Sequence, residues 1–244
     1  MSHPSMQSFV KEILQSILNE QNINNCRLLE IGSCDVNGSV REIVKNSLNP
    51  SEHIGVDLMY GPNVDLVCSG HQVDLPSGSF DLTISFECLE HNPYWVETLD
   101  NMRRMTKPNG YLIMSCATLG RLEHGTARTN PASSPGTQGI GWNYYKNLTE
   151  NDFKPSFLSS FNDYHFWVNK NAKDLYFIGS VGKKLDLKET SFQFIEMRPI
   201  SSIKKKIFVD YPLNLAQKIL NETNFQNFAV TYLKLGRRFK KFIV

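Results

Sequence analysis

The run Glu30-Ile-Gly-Ser-Cys-Asp-Val-Asn-Gly38 places two carboxylates and two glycines around one turn at the end of a short apolar run. Gly32 and Gly38 leave the backbone open to close approach by a ligand, because neither carries a Cβ. The acids select among ligands. A pyrophosphate seated on a helix N-terminus is announced by G-x-G-x-x-G. Here Cys34 takes the middle glycine position, the spacing differs, and Asp35 puts a negative charge where the phosphates would lie. Glu30 and Asp35 suit a cation instead. Asp57 ends the next apolar run, and a carboxylate there accepts both hydroxyls of a ribose, each charge-assisted bond worth roughly 1.5–3 kcal/mol. Ser69-Gly70-His71 follows the third run, at the place of an adenine. A nucleoside that carries positive charge and no phosphate, S-adenosylmethionine above all, meets these requirements. The expected cofactor set is Glu30, Gly32, Ser33, Cys34, Asp57, Leu58, Ser69, Gly70, His71 and Phe86.

Such turns need strands to carry them. Residues 27–32, 53–57, 64–68, 80–86 and 111–116 are short apolar runs of the kind buried on both faces of a sheet. Met6, Phe9, Val10, Ile13, Leu14, Ile17 and Leu18 recur at helical spacing. A second helix is expected over 37–48, with Asn37 or Ser39 as its cap and Pro50 beyond its end, and a third over 95–105, stopped by Lys107-Pro-Asn-Gly110. Strand alternating with helix implies a parallel sheet with right-handed crossovers, whose ligands lie at the carboxyl ends of the strands. Residues 117–147 break the pattern and are rich in glycine; a loop of this length serves as a lid or binding loop. A helix over 149–159 and two strands, 164–168 and 175–181 around the turn 169–173, then close the domain.

Residues 28–116 resemble the class I S-adenosylmethionine-dependent methyltransferases of the methyltransferase type 11 group. Glu30-Ile-Gly-Ser-Cys34 is similar to its motif I, and Asp57 to the acid after its second strand. Asp74-Leu-Pro-Ser-Gly-Ser-Phe-Asp-Leu-Thr-Ile-Ser-Phe-Glu-Cys-Leu-Glu-His91 resembles its "LP…SFD…EVLEH" stretch, and Met105-Thr-Lys-Pro-Asn-Gly-Tyr-Leu112 its "LKPGG" turn and fifth strand. The order and spacing of these matches are more specific than any one of them. Two departures stand out: motif I lacks its second glycine, and Ser69 or Gly70 replaces the acid usual near the adenine. The resemblance implies an α/β Rossmann-like three-layer sandwich with a mostly parallel sheet of about seven strands, S-adenosylmethionine as cofactor, and methyl transfer.

Methyl transfer is an in-line displacement that asks the protein mainly for positioning and desolvation. An oxygen acceptor also needs a base for its proton. His91, just after the fourth strand, is the candidate catalytic residue; the competing reading is a histidine at a helix start that only shapes the pocket. His124, Arg128, Tyr144 and Tyr145, in the 117–147 loop with Trp142, are the candidate acceptor contacts. Asn92-Pro-Tyr94 is similar to the N-P-P-Y of nucleic-acid amino-methyltransferases, but the second proline is missing and Glu87 to His91 intervene, so it reads as a helix start. The spacing of histidines, cysteines and carboxylates marks no metal site.

The chain divides on this reading into a methyltransferase domain, 1–185, and a basic C-terminal extension, 186–244, expected to be helical. From Ser201 onward nine basic residues (Lys204, Lys205, Lys206, Lys218, Lys234, Arg237, Arg238, Lys240 and Lys241) face only Asp210 and Glu222, with aromatics between them. Such a segment packs on the domain or on a second copy of the chain, or touches an anionic membrane surface. The formal net charge of +2 argues against a nucleic-acid partner. Five cysteines without a C-x-x-C pair point to free thiols in a reducing, cytoplasmic setting, and no signal peptide or membrane-spanning run is present. Three functions compete. The first is O-methylation of a small molecule, sugar or capsule or glycan substituent, such as a phosphoramidate group. It draws on Glu123-His-Gly-Thr-Ala-Arg-Thr-Asn-Pro-Ala-Ser-Ser-Pro-Gly136, which resembles methyltransferases of bacterial surface-polysaccharide genes. The others are an NAD-binding oxidoreductase and a non-catalytic S-adenosylmethionine-binding partner that docks through its basic tail.

Overall fold

A computed structural model describes residues 3–20, 25–185, 187 and 211–242. Seven strands form one sheet in the order β3-β2-β1-β4-β5-β7-β6: β1 (Arg27–Ile31), β2 (Glu52–Asp57), β3 (Leu66–Val67), β4 (Phe80–Phe86), β5 (Thr106–Ala117), β6 (Asp163–Asn169) and β7 (Asp174–Ser180). The first five are parallel; β7 runs antiparallel to both β5 and β6. This is the expected Rossmann-like architecture, with its mixed edge formed by the β6–β7 hairpin.

Alternation along the strands divides the core into two layers, since successive side chains point to opposite faces. Leu28, Leu82, Ile84, Ile113 and Ile178 pack under α1 (Pro4–Glu20) and α2 (Arg41–Leu48). Leu29, Ile31, Leu112, Met114 and Phe177 face Leu99, Met102 and Met105 of α3 (Trp95–Met105), with Phe153 and Phe157 beside them. Phe9 of α1 stacks on Tyr176 of β7 at 4.3 Å between centroids, so the first helix clasps the last strand. Each such fully buried side chain contributes roughly 1.5–3 kcal/mol.

Several boundaries differ from expectation, each for a local reason. α2 begins at Arg41 rather than at Asn37, because Gly38 has φ +106° and its N–H donates to Asp35 Oδ1 at 2.8 Å, a turn rather than a helix. Ser39 Oγ does accept the Arg41 N–H, at 3.0 Å. β3 shrinks to two residues because the Asp65 carboxylate takes the Gly55 N–H at 2.7 Å, replacing a ladder bond with a side-chain bond. Lys107-Pro-Asn-Gly110 lies within β5 and is accommodated by a register shift opposite Phe80 and Leu82. The helix expected over 149–159 splits into a 3-10 turn, Glu150–Asp152, and α5 (Pro155–Leu158); the residue before a proline is driven to extended backbone.

The 117–147 loop carries one short helix, α4 (Pro135–Gly139). α6 (Tyr211–Ile219) and α7 (Glu222–Phe242) form the C-terminal helical part. Leu213, Phe225 and Ala229 make a small core of their own with Leu122 from the loop. Lys204, Lys205 and Lys206, and the side chains of Arg237, Arg238, Lys240 and Lys241, lie outside the described residues. No described helix is long and apolar enough to cross a membrane.

Candidate functional site

A cleft opens at the carboxyl ends of β1, β2 and β4, where ligands of such sheets bind. Its floor begins with the turn after β1. Gly32 has φ +81°, and a Cβ there would stand 2.7 Å from the Cys88 side chain; a left-handed backbone and a close approach both require glycine. The Gly32 N–H donates to the Val56 carbonyl at 2.8 Å, which ties the turn to β2. Asp57 locks it from the other side. Its Oδ2 accepts the Cys34 N–H at 2.9 Å and its Oδ1 the Leu58 N–H at 2.7 Å. Burial pushes the Asp57 carboxyl up from its ordinary range, against these backbone bonds.

Gly32, Cys34, Asp57, Leu58, Ser69, Gly70 and His91 all stand on the cleft. The other expected cofactor residues lie behind it. Glu30 is buried with an oxygen 2.8 Å from His53 Nε2, so its carboxylate is hydrogen-bonded by a neighbour across the strands. Ser33 is buried, and Phe86 sits in the layer under α1. His71 stacks on Tyr94 at 4.3 Å and places Nδ1 2.7 Å from Ser69 Oγ. Residues 133–137 and Trp142 cover the cleft from above. A Cβ at Gly136 would come within 3.3 Å of Asp57 Oδ1, so the long loop lies directly over that carboxylate.

A second, open cavity of about 480 Å³ lies between residues 120–133 and α7. His124 and Arg128 line it, together with Arg121, Lys173 and Lys234. Arg128 is paired with Glu123 and also reaches Asn227 Oδ1 of α7 at 2.8 Å. Lys173 and Lys234 have no carboxylate partner among the described residues. Ser133 borders both spaces. His91, on the cleft, meets His124, on the cavity, edge-to-face at 4.8 Å, and Tyr145 packs on both rings at 5.4 and 5.1 Å. Tyr144 lies apart, against the core layer of α3.

Glu87, Glu90 and Asp174 were not singled out as site residues from the sequence. Glu87 adopts φ +51°, unusual for a side chain with a Cβ. Its Oε1 accepts the Ser115 hydroxyl at 2.8 Å, and its Oε2 lies 3.6 Å from both Arg121 and His3. Asp174 completes this buried group, 2.7 Å from Arg121 and 3.1 Å from His3. Burial alone would raise Glu87; His3 and Arg121 hold it below the usual carboxylate range. The available signal was two acids, Glu87 and Glu90, inside an otherwise apolar run directly after β4.

Residues 22–114 match a family described as a methyltransferase domain. No curated protein matches the chain. Among solved structures, the CurJ carbon methyltransferase is similar at 16% identity and a TM-score of 0.52, covering 72% of this chain and 54% of its own; this chain thus spans about half the length of that one. The N-methyltransferase NodS from Bradyrhizobium japonicum, solved with S-adenosylhomocysteine, is 14% identical, with 75% of this chain and 90% of its own covered and a TM-score of 0.49. The matched segment contains β1, β2 and β4, the strands whose ends form the cleft, and its glycine turn and acid suit a cationic nucleoside; residues 22–114 carry a methyltransferase domain, on a Rossmann-like fold shared with the carbon methyltransferase.

Proposed function

We propose that this protein transfers a methyl group to an oxygen of a small anionic acceptor, a sugar or a capsule or glycan substituent such as a phosphoramidate group. The observation that carries this is the second cavity: it adjoins the cofactor cleft at Ser133 and at the His91–His124 contact, and it holds two lysines without acidic partners among the described residues. A cavity with unmatched positive charge concentrates anions.

S-adenosylmethionine, when bound, supplies a methyl group activated by a positive sulfonium. Asp57 accepts the ribose hydroxyls, and the Gly32 turn admits the ligand to the backbone, with Cys34 and Leu58 on either side of the acid. Ser69 and Gly70 border the adenine. Asp57 gives the cleft the sign a cation needs. Residues 133–137 keep water from the reacting atoms. Lys173 and Lys234 hold the acceptor's negative group, Arg128 and Tyr145 shape the space around it, and His91 touches the acceptor oxygen. The acceptor's proton passes to solvent through the open second cavity.

Transfer of labelled methyl groups to a panel of phosphorylated, phosphoramidate-bearing and neutral sugars tests this directly. Turnover confined to anionic acceptors is expected, with His91→Ala abolishing it while S-adenosylhomocysteine still binds. Turnover of neutral sugars alone would overturn the proposed acceptor class.

A further inference from the structure

Glu90, His91 and His124 converge where the cleft meets the cavity, with one nitrogen or oxygen of each within 4.8 Å of the others. Glu90 is fully buried, and neither of its carboxylate oxygens has a hydrogen-bond partner. That is costly: a buried carboxylate needs a proton, a donor or a cation. The two histidines are prepared as electron-pair donors. His124 Nδ1 lies 3.0 Å from the Leu122 carbonyl. A carbonyl only accepts, so Nδ1 carries the hydrogen and Nε2 keeps its lone pair, the arrangement that orients metal-binding histidines. His91 Nε2 lies 4.0 Å from Glu90 Oε1, and its buried Nδ1 has no hydrogen-bond partner among the described residues.

We propose that Glu90, His91 and His124 form a site for a divalent transition-metal ion of the zinc class at the junction of the cofactor cleft and the acceptor cavity. Two imidazoles and a carboxylate are a known zinc set, and three protein ligands leave a further position open. Magnesium and calcium prefer all-oxygen sites. Ligand atoms bonded at about 2.0–2.2 Å to one ion stand closer together than these do, so the three side chains draw inward on binding. His91 borders the cleft and His124 the cavity, which puts the open position within reach of an acceptor oxygen. A cation there lowers the pKa of a bound hydroxyl.

The full chain, stripped with a chelator, is titrated with Zn²⁺ by calorimetry and with Co²⁺ by visible absorption. One equivalent is expected, with the d–d bands of nitrogen and oxygen ligation and no thiolate charge-transfer band. Glu90→Gln and His124→Gln should each weaken binding about tenfold or more, while thermal melting and S-adenosylhomocysteine affinity show that both remain folded. A missing saturable phase, a thiolate band, or unchanged affinity in folded variants would each overturn the proposal. The readout is metal affinity, so it stands or falls separately from the identity of the methyl acceptor.

Discussion

Asp57 shows how one carboxylate serves both the fold and the site. It holds the Cys34 and Leu58 backbones while lining the cleft. Asp57→Ala should weaken S-adenosylhomocysteine binding at least about tenfold, the loss of one charge-assisted hydrogen bond of roughly 1.5–3 kcal/mol; calorimetry with unchanged affinity would reject its role. Gly32→Ala meets a left-handed φ and the Cys88 side chain at 2.7 Å. It should lower stability by about 1–3 kcal/mol and cofactor affinity with it, measured by denaturant melts and titration of the same sample. These residues were legible because a turn between two elements is contiguous in sequence. The partner of Glu30 was not. His53 lies on the neighbouring strand, where the pairing of Leu28 with His53 brings it beside Glu30. Register across a parallel pair cannot be read from either strand alone.

At the scale of elements, strand and helix periodicity gave the strands of the sheet's parallel part, while side chains that replace backbone bonds decided its boundaries, as Asp35 does before α2 and Asp65 before β3. The buried group of His3, Glu87, Arg121 and Asp174 is likewise invisible in sequence, since it joins the start of α1, the residue after β4, the long loop and the first residue of β7. It makes a pH prediction. Burial would lower the His3 pKa, but the Asp174 and Glu87 carboxylates outweigh it and raise it from 6.5 to about 9. A raised folded pKa means that the stabilisation is complete below pH 6.5 and is lost as pH rises through about 9. His3→Gln should therefore be less stable than the parent by about 2 kcal/mol, the scale of a hydrogen bond to a charged group, in denaturant melts below pH 6.5. The two should converge above pH 9. A difference independent of pH would remove His3 as the cause.

At the scale of the whole molecule, the cofactor cleft lies on consecutive strands and turns, whereas the second cavity is assembled from segments about a hundred residues apart. The Gly120 N–H donates to Glu222 Oε2 at 3.2 Å, the Glu123 N–H to Gln226 Oε1 at 2.8 Å, and Gln226 Nε2 to the Arg121 carbonyl at 2.6 Å. Contacts at that separation leave no periodic trace in sequence, and so a basic extension gave no sign that it walls a cavity. Lys234 lines that cavity from α7, so part of the positive charge of the extension is turned towards it. If α7 forms the acceptor wall, a bulky side chain there should compete with the acceptor and leave the cofactor undisturbed. Val230 lines the cavity and is only partly buried. Val230→Trp should raise the acceptor KM at least about tenfold, the cost of displacing a ligand by roughly 1.4 kcal/mol, with S-adenosylhomocysteine affinity and melting temperature close to those of the parent. A variant that loses cofactor affinity instead would mean that α7 supports the cleft rather than the acceptor, and an unchanged KM would move the acceptor out of this cavity altogether.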